Sequence, residues 1–254
     1  MIHKLTEINP NAKIGENVEI GPFCVIDDDV VIGDGCRLMS NVRVCSGTRL
    51  GKNNLIFPGA VIGAVPQDLK FKGEDSICQI GDNNSFRENV NISRGTASKG
   101  TTQIGNNCLL MENVHVAHDC FLGNNLIIGN STKLAGEVIV DDNAIISAAV
   151  LCHQFCRIAG FVMIQGGSRF SLDIPPYIIA GREPTRYCGI NIIGLRRRGY
   201  SAETIDLIHN AYRLLYSKTV RQEGIDAIKQ ELPISKEVEY IIQFVQSSQR
   251  GIIR

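Results

Sequence analysis

Two short stretches carry residues that could do chemistry: His115-Val-Ala-His118-Asp119 and His153-Gln154, which together hold three of the chain's five histidines. A histidine beside a carboxylate is the pair used in general-base catalysis: the carboxylate orients the ring, and the free ring nitrogen takes a proton. With an unobstructed backbone N–H to receive a developing oxyanion, the pair has the parts needed for acyl transfer. Taken alone, His-x-x-His-Asp is a weak signal, because a histidine is more often structural or solvated. What matters is whether the chain brings the two stretches together.

The positioning element is a six-residue beat. Every sixth residue from Ile2 to Phe170 makes 29 slots, of which 26 are apolar, counting Cys152; the exceptions are Asp68, Glu74 and Ser98. At the 44% apolar content of the chain, chance would give about half that number, so this is an internal repeat. The following residue is often glycine (Gly15, Gly33, Gly51, Gly81, Gly105), and four places after each aliphatic comes a small or β-branched residue such as Val18, Cys24 or Val42. A period of six suits neither an amphipathic helix nor a simple alternating strand. It suits short β segments joined by corners, three to a turn, stacked as a parallel β-helix.

A coil is then 18 residues, and equivalent side chains stack ~4.8 Å apart. On this spacing His118, Gly136 and Gln154 form one column, Ala117, Ala135 and His153 the next, and Asp119 stacks under Glu137. His118 thus has a glycine N–H one coil away and a carboxylate beside it. Three histidines within two coils favour a site over scattered surface residues. A metal site is the rival reading, but His153 lies two coils, ~9.6 Å, from His115 and His118. Zinc bonds of ~2.1 Å could not collect all three within one chain, so no metal is expected.

The chain has 254 residues, a formal net charge of zero and no tryptophan. No basic excess suggests a nucleic-acid partner, and no apolar run suggests a signal peptide or a membrane span. Nine cysteines without a CxxC pair, five of them in the small slot of the repeat, indicate reduced thiols and a cytoplasmic protein. The β-helix is expected over 1–173, with in-phase breaks near 63–79 and 96–103 projecting as loops suited to binding. A connector is expected over 174–190 and a helical domain over 191–254. That domain should hold three helices: one capped by Ser201, a weaker one over about 220–232, and one capped by Ser235. Arg196-Arg197-Arg198, just before the first of these, suits a diphosphate or an acidic partner, or is simply a solvated loop.

The hexads resemble the left-handed β-helix of the hexapeptide-repeat acyltransferases; the handedness comes from that resemblance, since the usual crossover rule would give the opposite hand. More specifically, Gln67-Asp-Leu-Lys70, Arg94-Gly-Thr96, Asn113-Val-His-Val-Ala-His-Asp-Cys120, Leu134-Ala-Gly136, His153-Gln-Phe-Cys156, Asp173-Ile-Pro-Pro-Tyr177, Gly189-Ile-Asn191 and Arg197-Arg-Gly199 are arranged as in the acyl-carrier-protein–UDP-N-acetylglucosamine O-acyltransferases. The resemblance covers essentially the whole chain. It implies transfer of a 3-hydroxyacyl group to the 3-hydroxyl of UDP-N-acetylglucosamine, the first step of lipid A biosynthesis. His118 would be the base, Asp119 its orienting carboxylate and Gly136 the oxyanion donor. It assigns Asp68, Lys70, His115, His153 and Gln154 to the sugar nucleotide. Asn191, Arg197 and Arg198 would reach the nucleotide, its diphosphate or the donor's phosphopantetheine, and Met163 and Gly166 fall in the acyl-chain ruler. It also implies a homotrimer with the site between prisms, and no cofactor beyond the phosphopantetheine of the carrier protein.

The chain departs from the familiar pattern at Glu137 and Ser93, where histidine is usual, at Ile193, where an acid is usual, and at Gln165 and Gly167 beside the ruler. Other readings are a sister acyltransferase, such as the N-acyltransferase of the same pathway, a γ-class carbonic anhydrase, or a catalytically silent β-helix scaffold.

Overall fold

The computed structural model describes all 254 residues. Most strands are only two residues long, an outward residue followed by an inward aliphatic, as in Glu19–Ile20 and Arg37–Leu38. They stack into three sheets of nine, eight and ten strands, which form the faces of a left-handed prism. We call the face that starts at Glu7–Ile8 the first, that at Lys13–Ile14 the second, and that at Glu19–Ile20 the third.

Where the repeat is unbroken, parallel partners are 18 residues apart, as Glu7 with Val25 and Val25 with Arg43. Across the first break Val61 pairs with Asn91, twelve residues more; across the second Asn91 pairs with His115, six more. Both inserts are whole multiples of the hexad, which is why the beat returns in phase. The strands flanking them end at Ala64 and Ser93 on the first face and resume at Ile77 and Thr101 on the second. Both loops therefore project from the corner between the first and second faces.

The corners have their own chemistry. Three residues after most inward aliphatics the backbone turns through positive φ, and asparagine takes that place at Asn17, Asn41, Asn53, Asn83, Asn89, Asn107, Asn113, Asn125 and Asn143. Asparagine tolerates this region better than other residues with a Cβ. The small slot that follows bonds to the adjacent coil: the thiols of Cys24, Cys36, Cys108 and Cys120 each reach the carbonyl 15 residues on, as the Thr132 hydroxyl does. These cysteines are packing residues with a donor in the right place.

One apolar cluster of 60 buried residues runs through the prism and into the C-terminal helices. Burying an aliphatic side chain is worth about 1.5–3 kcal/mol. The outward pair Arg37–Glu19 is more than half exposed on both sides, and such pairs add about 0–1 kcal/mol. The inward ladders hold the coils together.

Residues 174–190, expected as a connector, carry two strands instead. Ile178–Gly181 extends the third face in parallel, and Arg186–Ile190 pairs with it antiparallel. The helical part has four helices, not three: α1 (Ile192–Arg197), α2 (Ala202–Ser217), α3 (Arg221–Glu231) and α4 (Lys236–Ser247). Ser201 and Ser235 cap α2 and α4 as their positions suggest. The additional helix is α1, which places Arg196 and Arg197 in a last helical turn, where cations oppose the carbonyl dipoles. Helix α4 docks on the prism through Tyr240, whose hydroxyl donates to Asp141 and accepts from the Gly160 N–H. The C-terminal tail is fastened by buried Asp173, whose carboxylate accepts from the Arg157 N–H and the Ser248 hydroxyl.

Candidate active site

The strand His115–Val116 on the first face leads into the corner that bears His118 and Asp119. His118 Nδ1 lies 2.8 Å from Asp119 Oδ2. An ionised carboxylate only accepts, so Nδ1 carries a proton, and in the neutral ring Nε2 presents the lone pair. The Asp119 side chain is fully buried and that of His118 is 19% exposed, enough for a substrate to reach Nε2. Asp68 Oδ2, on the first loop, stands 3.9 Å from Nε2.

Gly136 sits one coil above His118, as the 18-residue spacing requires, with the Glu137 N–H bonded to the His118 carbonyl. Its own N–H has no partner in the chain. The imidazole lies against Gly136: a Cβ there would be 2.6 Å from Cε1 and 2.7 Å from Nε2 of His118. The ring thus adjoins a glycine whose N–H is unpartnered.

Two clefts meet there. A cleft of about 670 Å³ on the first face is lined by His115, His153, Lys133, Leu151, Gly136 and His118, among others. A second, of about 750 Å³ beneath the first loop, is lined by Asp68, Lys70, Gln154, Glu137, Gly136 and His118, among others. One chain therefore places Asp68, Lys70, His115, His118, Gly136, His153 and Gln154 on two clefts that share His118 and Gly136. His115 Nδ1 is 3.0 Å from Asn91 Oδ1; burial, and then the charge of Lys133, hold its pKa below the usual histidine value. His115 is thereby a neutral hydrogen-bonding group. Burial pushes the Cys120 thiol beside Asp119 up to about 12, which removes it as a nucleophile. No three His, Cys, Asp or Glu side chains are placed to hold a metal ion.

The remaining candidates lie elsewhere. Arg198 reaches Asn143 at 2.6 Å and stacks over Phe161, on the corner between the second and third faces. Arg197 is exposed on α1. Asn191 is buried and engaged at both ends of its amide: Oδ1 caps α1 at the Gly194 N–H, and Nδ2 donates to the Phe161 carbonyl. Met163 is on the third face and exposed Gly166 is on the corner that follows it.

Of the departures, Glu137 accepts from Ser98 Oγ at 2.9 Å, Ser93 is buried at the wall of the first cleft, and Ile193 is exposed on α1. Sequence reasoning missed Asn91 and Lys133. Both follow from the column rule applied to His115, once the six-residue insert is subtracted for Asn91.

Residues 173–253 match a family described as UDP N-acetylglucosamine O-acyltransferase, domain 2, and residues 29–64 and 101–136 match bacterial transferase hexapeptide (six repeats). An acyl-[acyl-carrier-protein]–UDP-N-acetylglucosamine O-acyltransferase of Halorhodospira halophila is 40% identical over 255 residues, 100% of this chain and 99% of that protein. One of the same name from Myxococcus xanthus is 42% identical over 203 residues, 79% of each chain. A UDP-N-acetylglucosamine acyltransferase crystal structure from Bacteroides fragilis 9343 superposes with a TM-score of 0.98 at 64% identity, covering 100% of both chains.

Proposed function

Since the chain belongs to the acyl-[acyl-carrier-protein]–UDP-N-acetylglucosamine O-acyltransferases, we propose that it moves a 3-hydroxyacyl chain from acyl carrier protein to the 3-hydroxyl of UDP-N-acetylglucosamine, with His118 as general base. This would be the first step of lipid A biosynthesis, carried out in the cytoplasm. No helix is long and apolar enough to cross a membrane.

The observation that supports the reading is the His118 imidazole packed against Gly136, whose backbone N–H has no partner in the chain. In the proposed step Nε2 takes the proton of the sugar hydroxyl as its oxygen attacks the thioester carbonyl. Positive charge gathers on an imidazole that Asp119 already holds, and negative charge gathers on the carbonyl oxygen facing Gly136. Collapse expels the phosphopantetheine thiolate, and the imidazolium returns the proton to it. Both clefts open onto this point. No cofactor is needed beyond the donor's own phosphopantetheine. The test is an assay of purified protein against a panel of acyl-carrier-protein donors and UDP-sugars; no transfer to any UDP-amino sugar would refute the reading.

The acceptor is assigned to Asp68, Lys70, His115, His153 and Gln154, which line the same clefts as His118. His153, exposed at the edge of the first cleft, would position the sugar nucleotide. His153→Ala should then raise KM several-fold and change kcat little; steady-state kinetics in UDP-sugar checks this, and a fall in kcat alone would contradict it.

The active assembly is proposed to be a homotrimer. His118, the Arg198 cluster and Gly166 occupy three different corners of the prism. A single chain cannot bring three corners of one prism together, whereas prisms packed side by side can set the His118 corner of one copy against Arg197, Arg198, Met163 and Gly166 of another. Sedimentation should show a trimer, and mixed, refolded His118→Ala and Arg198→Ala chains should regain part of the activity. An active monomer would exclude the shared site.

A further inference from the structure

We propose that Thr96 is a positioning residue for the transfer, acting through Asp119 on His118; the inference rests on the general-base reading of His118. Asp119 is a fully buried carboxylate with no lysine or arginine paired to it. Such a group is tenable only if its lone pairs find donors. Four reach it. Oδ1 accepts from the backbone N–H groups of Thr96 at 2.9 Å and Lys99 at 3.2 Å, and Oδ2 accepts from the Thr96 hydroxyl at 2.6 Å and from His118 Nδ1 at 2.8 Å. A carboxylate has about four lone-pair sites, so the shell is full. Three of the four donors come from the second loop, and the fourth is the catalytic ring.

The direction of the Thr96 O–H is itself fixed. Its oxygen accepts from the Ser98 N–H at 3.2 Å, which leaves the hydroxyl proton for Asp119. The loop is held from outside by two further carboxylates: Glu74 accepts from the Ala97 N–H and Glu137 from the Ser98 hydroxyl, each at 2.9 Å. On the strand that follows the loop, the Thr102 hydroxyl accepts from the Asp119 N–H at 2.8 Å. The second loop is thereby a clamp that sets the angle of the carboxylate, and the carboxylate sets the ring. Without the Thr96 hydroxyl, Oδ2 keeps only His118 as a partner, and the carboxylate can turn away from the bearing that aims Nε2 into the clefts.

The experiment measures kcat and KM for UDP-N-acetylglucosamine in Thr96→Val, Thr96→Ser, Asp119→Asn and the Thr96→Val/Asp119→Asn double variant of the full chain. Thermal melting serves as a fold control. Thr96→Val should lower kcat about 10-fold or more while KM stays within about two-fold, because the charge-assisted hydrogen bond that is lost goes to buried Asp119 and not to the substrate. Thr96→Ser, which restores the hydroxyl, should recover most of the rate. In the Asp119→Asn background the valine change should cost little further, since both act through one group. Thr96→Ala gives the same reading should the valine variant fail to fold. A Thr96→Val enzyme with wild-type kcat, or a loss of full size in the Asp119→Asn background, would overturn the inference. A His118→Ala enzyme that keeps its rate would instead overturn the reading beneath it.

Discussion

His118→Ala should lower kcat by ~10²–10⁴-fold, the usual worth of a positioned general base, and leave KM for UDP-N-acetylglucosamine within a few-fold. The asymmetry follows from where the ring points. Nδ1 is committed to Asp119 and the ring lines both clefts, so on the proposed reading it acts on the reacting hydroxyl rather than on the nucleotide. The substrate contacts assigned to Asp68, Lys70, His115, His153 and Gln154 survive the substitution. Steady-state kinetics with wild type and variant side by side checks this. Activity within a few-fold of wild type in His118→Ala would move the base to His115 or Glu137, the next titratable groups around the clefts.

Gly136→Ala should be nearly as damaging, at about 10²-fold in kcat, although it adds one methyl and removes no functional group. The backbone of Gly136 does not need glycine: its φ is not positive, unlike that of neighbouring Glu137. The new Cβ would instead overlap the imidazole, at 2.6 Å from Cε1 and 2.7 Å from Nε2. The surrounding coil is bonded above and below, through Glu137 to the His118 carbonyl and Phe155 to the Gly136 carbonyl, so the ring must give way. Displacing a base by about 1 Å can cost 10²-fold in rate, and the same methyl would crowd the oxyanion at the N–H. The fold should persist, because the clash is with a partly exposed side chain rather than with the ladder. Kinetics together with thermal melting separates the two; an alanine variant with wild-type kcat would show that neither the ring nor the oxyanion needs this space.

The sequence by itself determined everything that repeats. A six-residue beat of inward aliphatics fixes the prism, and the 18-residue coil puts His118 beneath Gly136 and Gln154 before any coordinate is known. It also shows that two insertions return in phase, and the serine caps of α2 and α4 are local signals of the same kind. The regular asparagine of the corners, three places after the aliphatic, was equally legible and marks the positive-φ turn. What does not repeat could not be read this way. The strands within 174–190 answer to packing against the last coil, not to a period. Asn191, placed by its motif among substrate ligands, also caps α1, a contact its motif does not show. Only the tertiary structure shows that both loops leave the same corner as His118, that a threonine 23 residues before Asp119 supplies its hydroxyl and N–H, and that two clefts meet at one ring. Periodicity specifies contacts between equivalent positions on adjacent coils. The bonds that hold the Asp119–His118 pair run between a coil and an inserted loop, where no equivalent position exists and only the folded backbone decides which donor meets which acceptor.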